Sequence, residues 1–246
     1  MTEEVTRDAF LGGRVQLWQP RDGFRAGNDS VLLAASVSAS QGQTVLDLGC
    51  GVGAAALCLR ARVPGLRLTG VEIQPRDAAL ARRNGGPAFE VITADIAALP
   101  PTLLQRQFDH VLTNPPYYDR RASRSALGTE RECALGETTP LSFWVKAACK
   151  RLRPKGYLHL IHLAERLPDI LDALPSGMGS VEVLPIAART GRSADRIILR
   201  ARKNGRAAFT LHSPLIMHEG ADHVSDAESY VAEVRAVLRD GAALEF

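Results

Sequence analysis

The chain has 246 residues, of which 46% are hydrophobic and 23% charged, with a formal net charge of +3. That length suits a single α/β domain, and the apolar content excludes a disordered chain. No apolar run reaches the roughly 18 residues that span a bilayer, and the acidic start Met1-Thr2-Glu3-Glu4 does not read as a signal peptide, so a cytoplasmic protein without a membrane partner is expected.

In chain order, residues 10–18 alternate apolar and polar toward their end, as a short hairpin or edge strand does. Phe24-Arg25-Ala26-Gly27-Asn28-Asp29-Ser30 then precedes the helical run Val31-Leu32-Leu33-Ala34-Ala35. Asn28, Asp29 and Ser30 are all good N-cap residues, so an ordinary helix start explains them. The functional alternative is a helix N-terminus that faces a ligand carboxylate. Thr44-Val45-Leu46-Asp47-Leu48 predicts a strand, Gly49-Cys50-Gly51-Val52-Gly53 a tight turn, and residues 54–62 a helix. A second strand over 66–71 ends in Glu72, and a third over 89–94 ends in Asp95. A fourth, over 108–112, runs into Asn114-Pro115-Pro116-Tyr117, with helices over 76–84 and 97–104 between the strands.

Residues 142–152 form an amphipathic helix stopped by Arg153-Pro154-Lys155-Gly156. A fifth strand over 157–163 and a short helix over 167–174 follow. Residues 180–187 and 196–201 read as two antiparallel strands at the sheet edge, and 209–217 as another, broken at Pro214. Ser225-Asp226 caps a last helix over 228–238. No repeat, low-complexity tract or linker divides the chain. One domain over 1–246 is expected, with an N-terminal extension of strand and helix over 1–40 and a core over 41–246 that ends in antiparallel strands.

Four successive strands thus carry a Gly-rich or polar element at the same end, and in open α/β sheets the ligand crevice lies outside the carboxyl ends of the strands. Alternate glycines permit positive φ and let a ligand approach the backbone. Glu72 follows the turn at about the spacing that brings a carboxylate to ribose hydroxyls. The turn is Gly49-x-Gly51-x-Gly53 with Asp47 ahead of it, not the G-x-G-x-x-G of dinucleotide sites. An acid at that point repels pyrophosphate and favours a cationic sulfonium and amino group, and Asp95 suits an adenine amino group. S-adenosylmethionine is therefore the expected cofactor in preference to NAD.

Both prolines of Asn114-Pro115-Pro116-Tyr117 fix φ and donate no hydrogen bond. A rigid strand-to-loop turn is the plain reading. The functional one makes the Asn114 amide and the Pro115 carbonyl two fixed acceptors, with Tyr117 as a flat lid, around a planar group that carries an NH2.

These motifs in this order resemble class I S-adenosylmethionine-dependent methyltransferases, which have a Rossmann-like α/β fold with a mostly parallel central sheet. The Asn-Pro-Pro-Tyr form is similar to that of the amino-methylating branch, which acts on adenine N6, guanine N2 or glutamine N5. Residues 24–33, together with Ala201-Arg202-Lys203-Asn204-Gly205-Arg206 and Ser213-Pro214-Leu215-Ile216-Met217-His218, resemble the bacterial tRNA1(Val) adenine-N6 methyltransferase family. The resemblance implies that Gly49, Cys50, Gly51 and Gly53 wrap the methionine part of the cofactor, with Asp47 nearby. It implies that Glu72 takes the ribose, Ile73 lies against the adenine, and Asp95 with Ile96 binds the adenine amino group. Asn114 and Pro115 would accept from the target NH2, with Pro116 in the same rigid segment and Tyr117 stacking on the target. The implied substrate is RNA, foremost adenine N6 in a tRNA anticodon loop. Glutamine N5 in a protein, an rRNA or DNA base, and a non-catalytic cofactor- or RNA-binding module are the alternatives.

The four cysteines, Cys50, Cys58, Cys133 and Cys149, form no C-x-x-C pair, which predicts reduced thiols rather than a disulfide frame or zinc site. His159 and His162 read as structural, His110 as a strand histidine facing a helix, and no metal is expected. Arg120, Arg121, Arg124 and Arg131 follow the Asn-Pro-Pro-Tyr motif. Arg189, Arg192, Arg196, Arg200, Arg202, Lys203 and Arg206 follow later with Asp195 as the only acid among them. Such runs are ordinary solvated surface; beside an amine-methylating site they are expected to hold RNA phosphates.

Overall fold

The computed structural model describes residues 5–23, 25–119, 136–137, 139–220 and 229–246. The chain opens with an antiparallel hairpin, β1 (Val5–Phe10) and β2 (Val15–Pro20). The alternation over 10–18 is mainly its second arm. After α1 (Asn28–Ala35), strands and helices alternate as expected: β3 (Thr44–Leu48), α2 (Ala54–Arg62), β4 (Arg67–Glu72), α3 (Pro75–Gly85), β5 (Phe89–Thr93), α4 (Pro101–Leu104) and β6 (Phe108–Thr113). A two-stranded parallel pair, β7 (Tyr118–Asp119) and β8 (Gly136–Glu137), comes next. Then follow α5 (Leu141–Arg151), β9 (Leu152–Leu163), α6 (Leu167–Ala173), β10 (Met178–Ala187), β11 (Ala194–Lys203), β12 (Thr210–Leu211), β13 (Leu215–Ile216) and α7 (Ala232–Asp240).

Nine strands form the central sheet in the order β12-β10-β11-β9-β6-β3-β4-β5, with β13 also paired to β10. The five from β9 to β5 are parallel, and β11 runs antiparallel between β9 and β10. Strands covered on both faces need continuous apolar runs, and all of β6 and most of β3 are buried. Their side chains alternate between two cores. Val45 joins α1, α2, α3 and α7 on one face, whereas Leu46 and Leu48 join α4, α5 and α6 on the other. The chain moves outward from β3 through β4 to β5 and then returns to β6 on the other side of β3. The crevice of such a sheet opens at that reversal.

Four local expectations change. Residues 97–104 are not one helix: a 3-10 turn at Ile96–Ala98 is separated from α4 by Leu99 and Pro100, because each proline of Pro100-Pro101 keeps the residue before it out of the helical region. β9 begins at Leu152, and Arg153-Pro154-Lys155-Gly156 lies within it as an irregular stretch, with Lys155 at φ +66 and a register shift against Phe108–His110. The strand expected over 209–217 is two short pieces, β12 and β13, both parallel to β10 and lying on either side of Pro214. The last helix starts at Ala232 with Val231 as its N-cap; Ser225 and Asp226, like Phe24, lie outside the described residues.

Candidate active site

Leu48 and Thr113 are neighbours in the parallel ladder of β3 and β6, so the Gly-rich turn and Asn114-Pro115-Pro116-Tyr117 leave the sheet side by side. The turn is tied to β4 by its backbone: Gly49 and Cys50 donate to the Val71 carbonyl at 2.8 and 2.9 Å. Glu72 completes the attachment, accepting from Gly51 N at 2.9 Å and from Gln74 N at 2.8 Å. Its burial raises its pKa against those two bonds. The carboxylate therefore shapes the loop, and its remaining lone pairs are what a ribose could use.

Of the three glycines in the turn, Gly51 (φ +53) alone leaves open space where a Cβ would stand. At Gly49 (φ +71) a Cβ would meet the Trp144 ring at 2.7 Å, and at Gly53 it would meet Phe89 at 2.9 Å. Two glycines thus answer to packing and one to access, where the spacing alone gave all three to the ligand.

Asp47 is 3% exposed, and its Oδ2 has no hydrogen-bond partner. Burial pushes its carboxyl up to about 7, opposed by the Ala56 backbone N–H and reinforced by the nearby Glu72 charge. It lines a cavity with Gly49, Cys50, Gly51, Asp77 and Asn114. An unpartnered buried carboxyl is costly, and a cationic group is the partner that would satisfy it. Cys50 is buried, and desolvation holds its thiol well above the usual range. At the end of β4 the Ile73 side chain is 53% exposed, as a platform for a flat ring should be. Asp95 Oδ1 accepts from Ala97 N at 2.8 Å, while the Ile96 side chain is buried in the second core; Ile96 offers a ligand little beyond its backbone.

Asn114 lines the Asp47 cavity and also the larger cleft beside it, of about 310 Å³, and its buried Oδ1 has no partner. Pro115 is buried, and Pro116 and Tyr117 are half-buried. Tyr117 is more than an apolar lid: its hydroxyl donates to Asp29 Oδ2 at 2.6 Å, and its ring meets His162 edge-on at 5.1 Å. Arg196 forms an ion pair with the same Asp29 oxygen at 3.2 Å. Asp29 is not the helix cap; Gly27 is, without a side-chain bond, and Asn28, Asp29 and Ser30 instead face the cleft. Trp144 is a contributor that no local pattern announced; Asp29 stands in the expected helix start and Arg196 in the expected basic run, but neither pattern shows that the two meet at Tyr117. His110 bonds His159 and Gln43, each at 3.1 Å, and so packs within the sheet.

The basic run of the C-terminal strands divides. Arg196 pairs with Leu163 at the carboxyl end of β9, and Arg202 with Tyr157 near the opposite end. The six residue steps from one to the other span roughly 20 Å of strand. Arg189, Arg192 and Arg196 therefore sit at the cleft end. Arg200 binds Glu182, Arg202 stacks on Tyr157, and Lys203 binds the Cys149 and Leu152 carbonyls, so these three, followed by Arg206, do not flank the cleft as expected. Arg120, Arg121, Arg124, Arg131 and Cys133 lie outside the described residues. Among the described residues no group of His, Cys, Asp and Glu is arranged to hold a metal, and no helix is long and apolar enough to cross a membrane.

Residues 25–185 match the model of the methyltransferase small domain. A tRNA1(Val) (adenine(37)-N6)-methyltransferase from Porphyromonas gingivalis is 33% identical over 66% of this chain and 68% of its own. One from Shewanella halifaxensis is 31% identical over 73% and 74%. A crystal structure described as a predicted O-methyltransferase from Agrobacterium tumefaciens covers 88% of this chain and 98% of its own at 27% identity, with a TM-score of 0.70. The match extends over both halves of the crevice, from Arg25 through the Gly-rich turn and Asn114 to β10, and the chain belongs to the methyltransferase small-domain family, enzymes that take their methyl group from S-adenosylmethionine.

Proposed function

We propose that this protein methylates the exocyclic N6 of an adenine in tRNA, at an anticodon-loop position. The observation that carries the reading is the unpartnered, buried Asn114 Oδ1 at the wall shared by the two cavities. An acceptor held there by two prolines is placed to take an N–H from a group entering the larger cleft while facing a donor in the smaller one. S-adenosylmethionine supplies an electrophilic methyl group on a sulfonium centre. Asp47 takes the cofactor's cationic end, Gly49, Cys50, Gly51 and Gly53 surround its methionine part, Glu72 binds the ribose, and Ile73, Asp95 and Ile96 border the adenine. An adenine amino nitrogen is a poor nucleophile because its lone pair is shared with the ring. Asn114 and the Pro115 carbonyl, by accepting its two N–H bonds, favour a pyramidal nitrogen aimed at the methyl, and Tyr117 and Pro116 hold the ring plane. Catalysis on this account is orientation and electrostatics.

The tRNA substrate is supported by the two relatives named for it, and an unpaired loop base needs no extraction from a helix. The whole chain acts as one domain, its first 40 residues supplying one wall of the cleft. An oxygen acceptor, as in the description of the Agrobacterium protein, brings one proton to a site that offers two acceptors. The test is transfer of labelled methyl from S-adenosylmethionine to total RNA from a strain lacking the gene, with nucleoside analysis and an Asn114→Ala control. Labelled N6-methyladenosine, lost in the variant, is expected. Label in protein glutamine, in a hydroxyl, or nowhere despite cofactor binding would overturn the reading.

A further inference from the structure

We propose that Asp29 is a positioning residue for Tyr117: it fixes the phenol ring that faces the target base, and Arg196 in turn holds Asp29. The inference rests on the N-methylation reading of the same cleft. Asp29 belongs to α1, 88 positions before Tyr117 in sequence, and the two meet through a 2.6 Å hydrogen bond. Arg196 arrives from β11 on the far side of the sheet order and contacts the same carboxylate oxygen at 3.2 Å. All three residues line the larger cleft with Asn114.

A ring that follows two prolines has its Cα fixed but can still turn about its side-chain bonds. The His162 ring meets the phenol edge-on at 5.1 Å with an interplanar angle of 60°, and the hydroxyl end is held by Asp29. A hydrogen bond to a charged acceptor is short and directional, and it selects one ring orientation. Asp29 is not needed for capping, since Gly27 caps α1. Its position in the first helical turn is also favourable for a carboxylate. Arg196 Nε, 3.2 Å from the same oxygen but outside hydrogen-bond geometry, acts on this acceptor by charge rather than by a directional bond, and its Nη1 lies 3.8 Å from Asp195. The assembly joins the N-terminal helix, the Asn-Pro-Pro-Tyr segment and β11 at one oxygen atom, so three segments distant in sequence set the plane on which the base stacks.

The test is a double-mutant cycle of Asp29→Ala and Tyr117→Phe, with Asp29→Asn as the conservative variant. If Asp29 acts through the phenol hydroxyl, each single variant lowers kcat about tenfold, and the double variant is no worse than Asp29→Ala alone. Asp29→Asn retains an acceptor oxygen and recovers most of kcat. The affinity for S-adenosylmethionine changes less than about twofold in all of them, which also shows that they fold. Multiplicative losses in the double variant, or equal losses in Asp29→Asn and Asp29→Ala, would overturn the inference. A readout independent of activity separates it from the function reading: in protein labelled at tyrosine carbons, the Tyr117 Cζ resonance, assigned by its loss in Tyr117→Phe, moves in Asp29→Ala. A resonance that stays in place defeats the positioning role whatever the substrate proves to be, whereas a shifted resonance without RNA methylation defeats only the substrate.

Discussion

Asp47 Oδ2 and Asn114 Oδ1 are two buried oxygens without hydrogen-bond partners, at the carboxyl ends of adjacent parallel strands and on the walls of one cavity. A folded protein seldom leaves two such atoms close together. On the function proposed above, each answers to a different ligand group, a cation at Asp47 and an N–H at Asn114, and the cost of burying them without partners would be offset when both ligands bind.

The Asp47 half of this can be tested without substrate. Its carboxyl is pushed up to about 7 from an ordinary 3.8, so the unliganded protein holds it largely protonated at pH 6. A cation placed beside it favours the charged form, and S-adenosylmethionine binding at pH 6 is expected to release close to one proton. Affinity then rises with pH up to about 7 and levels off above it. Titration calorimetry in buffers of different ionisation heat reads the proton directly, and Asp47→Asn should abolish both the release and the pH dependence. Proton uptake, or none at all, would sink this account.

The same group makes a prediction about the free protein, with the opposite direction. The folded state raises this acid's pKa above its unfolded value, so it binds more protons than the unfolded state between about 4 and 7. Its favourable contribution is complete below about 4 and is lost as pH rises through 7. The difference of roughly three pKa units is on the order of 4 kcal/mol. Relative to wild type, Asp47→Asn is expected to gain stability between pH 5 and pH 8. Parallel stability curves for the two proteins across that range would refute it.

How much of this was legible beforehand follows from what is local. Strand, Gly-rich turn and helix over 44–62, and the acids at or just beyond the ends of β4 and β5, are contiguous patterns whose meaning depends on near neighbours, so the fold and the gathering of these residues at one crevice could be read. Tyr117 was readable as a lid, but its partner Asp29 was not: a helix-start Asp serves capping in most sequences, and only the tertiary fold removes that duty. The basic run over 189–206 misled for a related reason. Charge counted along the sequence says nothing of strand direction, and β11 carries the run from the cleft to the other end of the sheet. Trp144 gives no sign in sequence that it lies over Gly49 rather than elsewhere in the core.

Gly49 and Gly51 should fail differently when changed to alanine. At Gly49 the new Cβ meets the Trp144 ring at 2.7 Å in a left-handed conformation, so overpacking adds to backbone strain and a loss of about 2–4 kcal/mol of stability is expected. At Gly51 there is space for the methyl, and the cost to the fold is only the roughly 1–2 kcal/mol of positive φ. Cofactor affinity, however, should fall at least tenfold, because the methyl enters the cavity. Denaturant unfolding beside cofactor titration distinguishes the two. Equal stability losses in both variants would mean that the turn is uniformly packed and that Gly51 does not mark the access side.

Asn114→Ala should separate binding from chemistry. Its Oδ1 lies at the boundary of the two cavities, and removing a preorganised polar group of this kind costs about 10²–10³ in kcat in other enzymes. A loss of that size is expected here, with S-adenosylmethionine affinity changed less than about threefold. A variant that keeps a tenth or more of wild-type kcat would move the acceptor role to another residue.

The division of the basic run gives the last prediction. Arg192 lies in the turn between β10 and β11, whose first residue, Ala188, lines the cleft, whereas Arg206 lies beyond the other end of β11. Both are exposed arginines, so composition alone gives them equal roles. If RNA phosphates lie along the cleft end, Arg192→Ala should weaken RNA binding and reduce the slope of log K against log salt by about one. Arg206→Ala should leave both nearly unchanged. The comparison needs a salt series rather than one affinity, because each phosphate contact releases counterions and so contributes to the slope whether or not it contributes to specificity. An equal change in slope for the two variants would place RNA at both ends of the strand, and it would require a substrate path around the sheet edge formed by β10, β12 and β13.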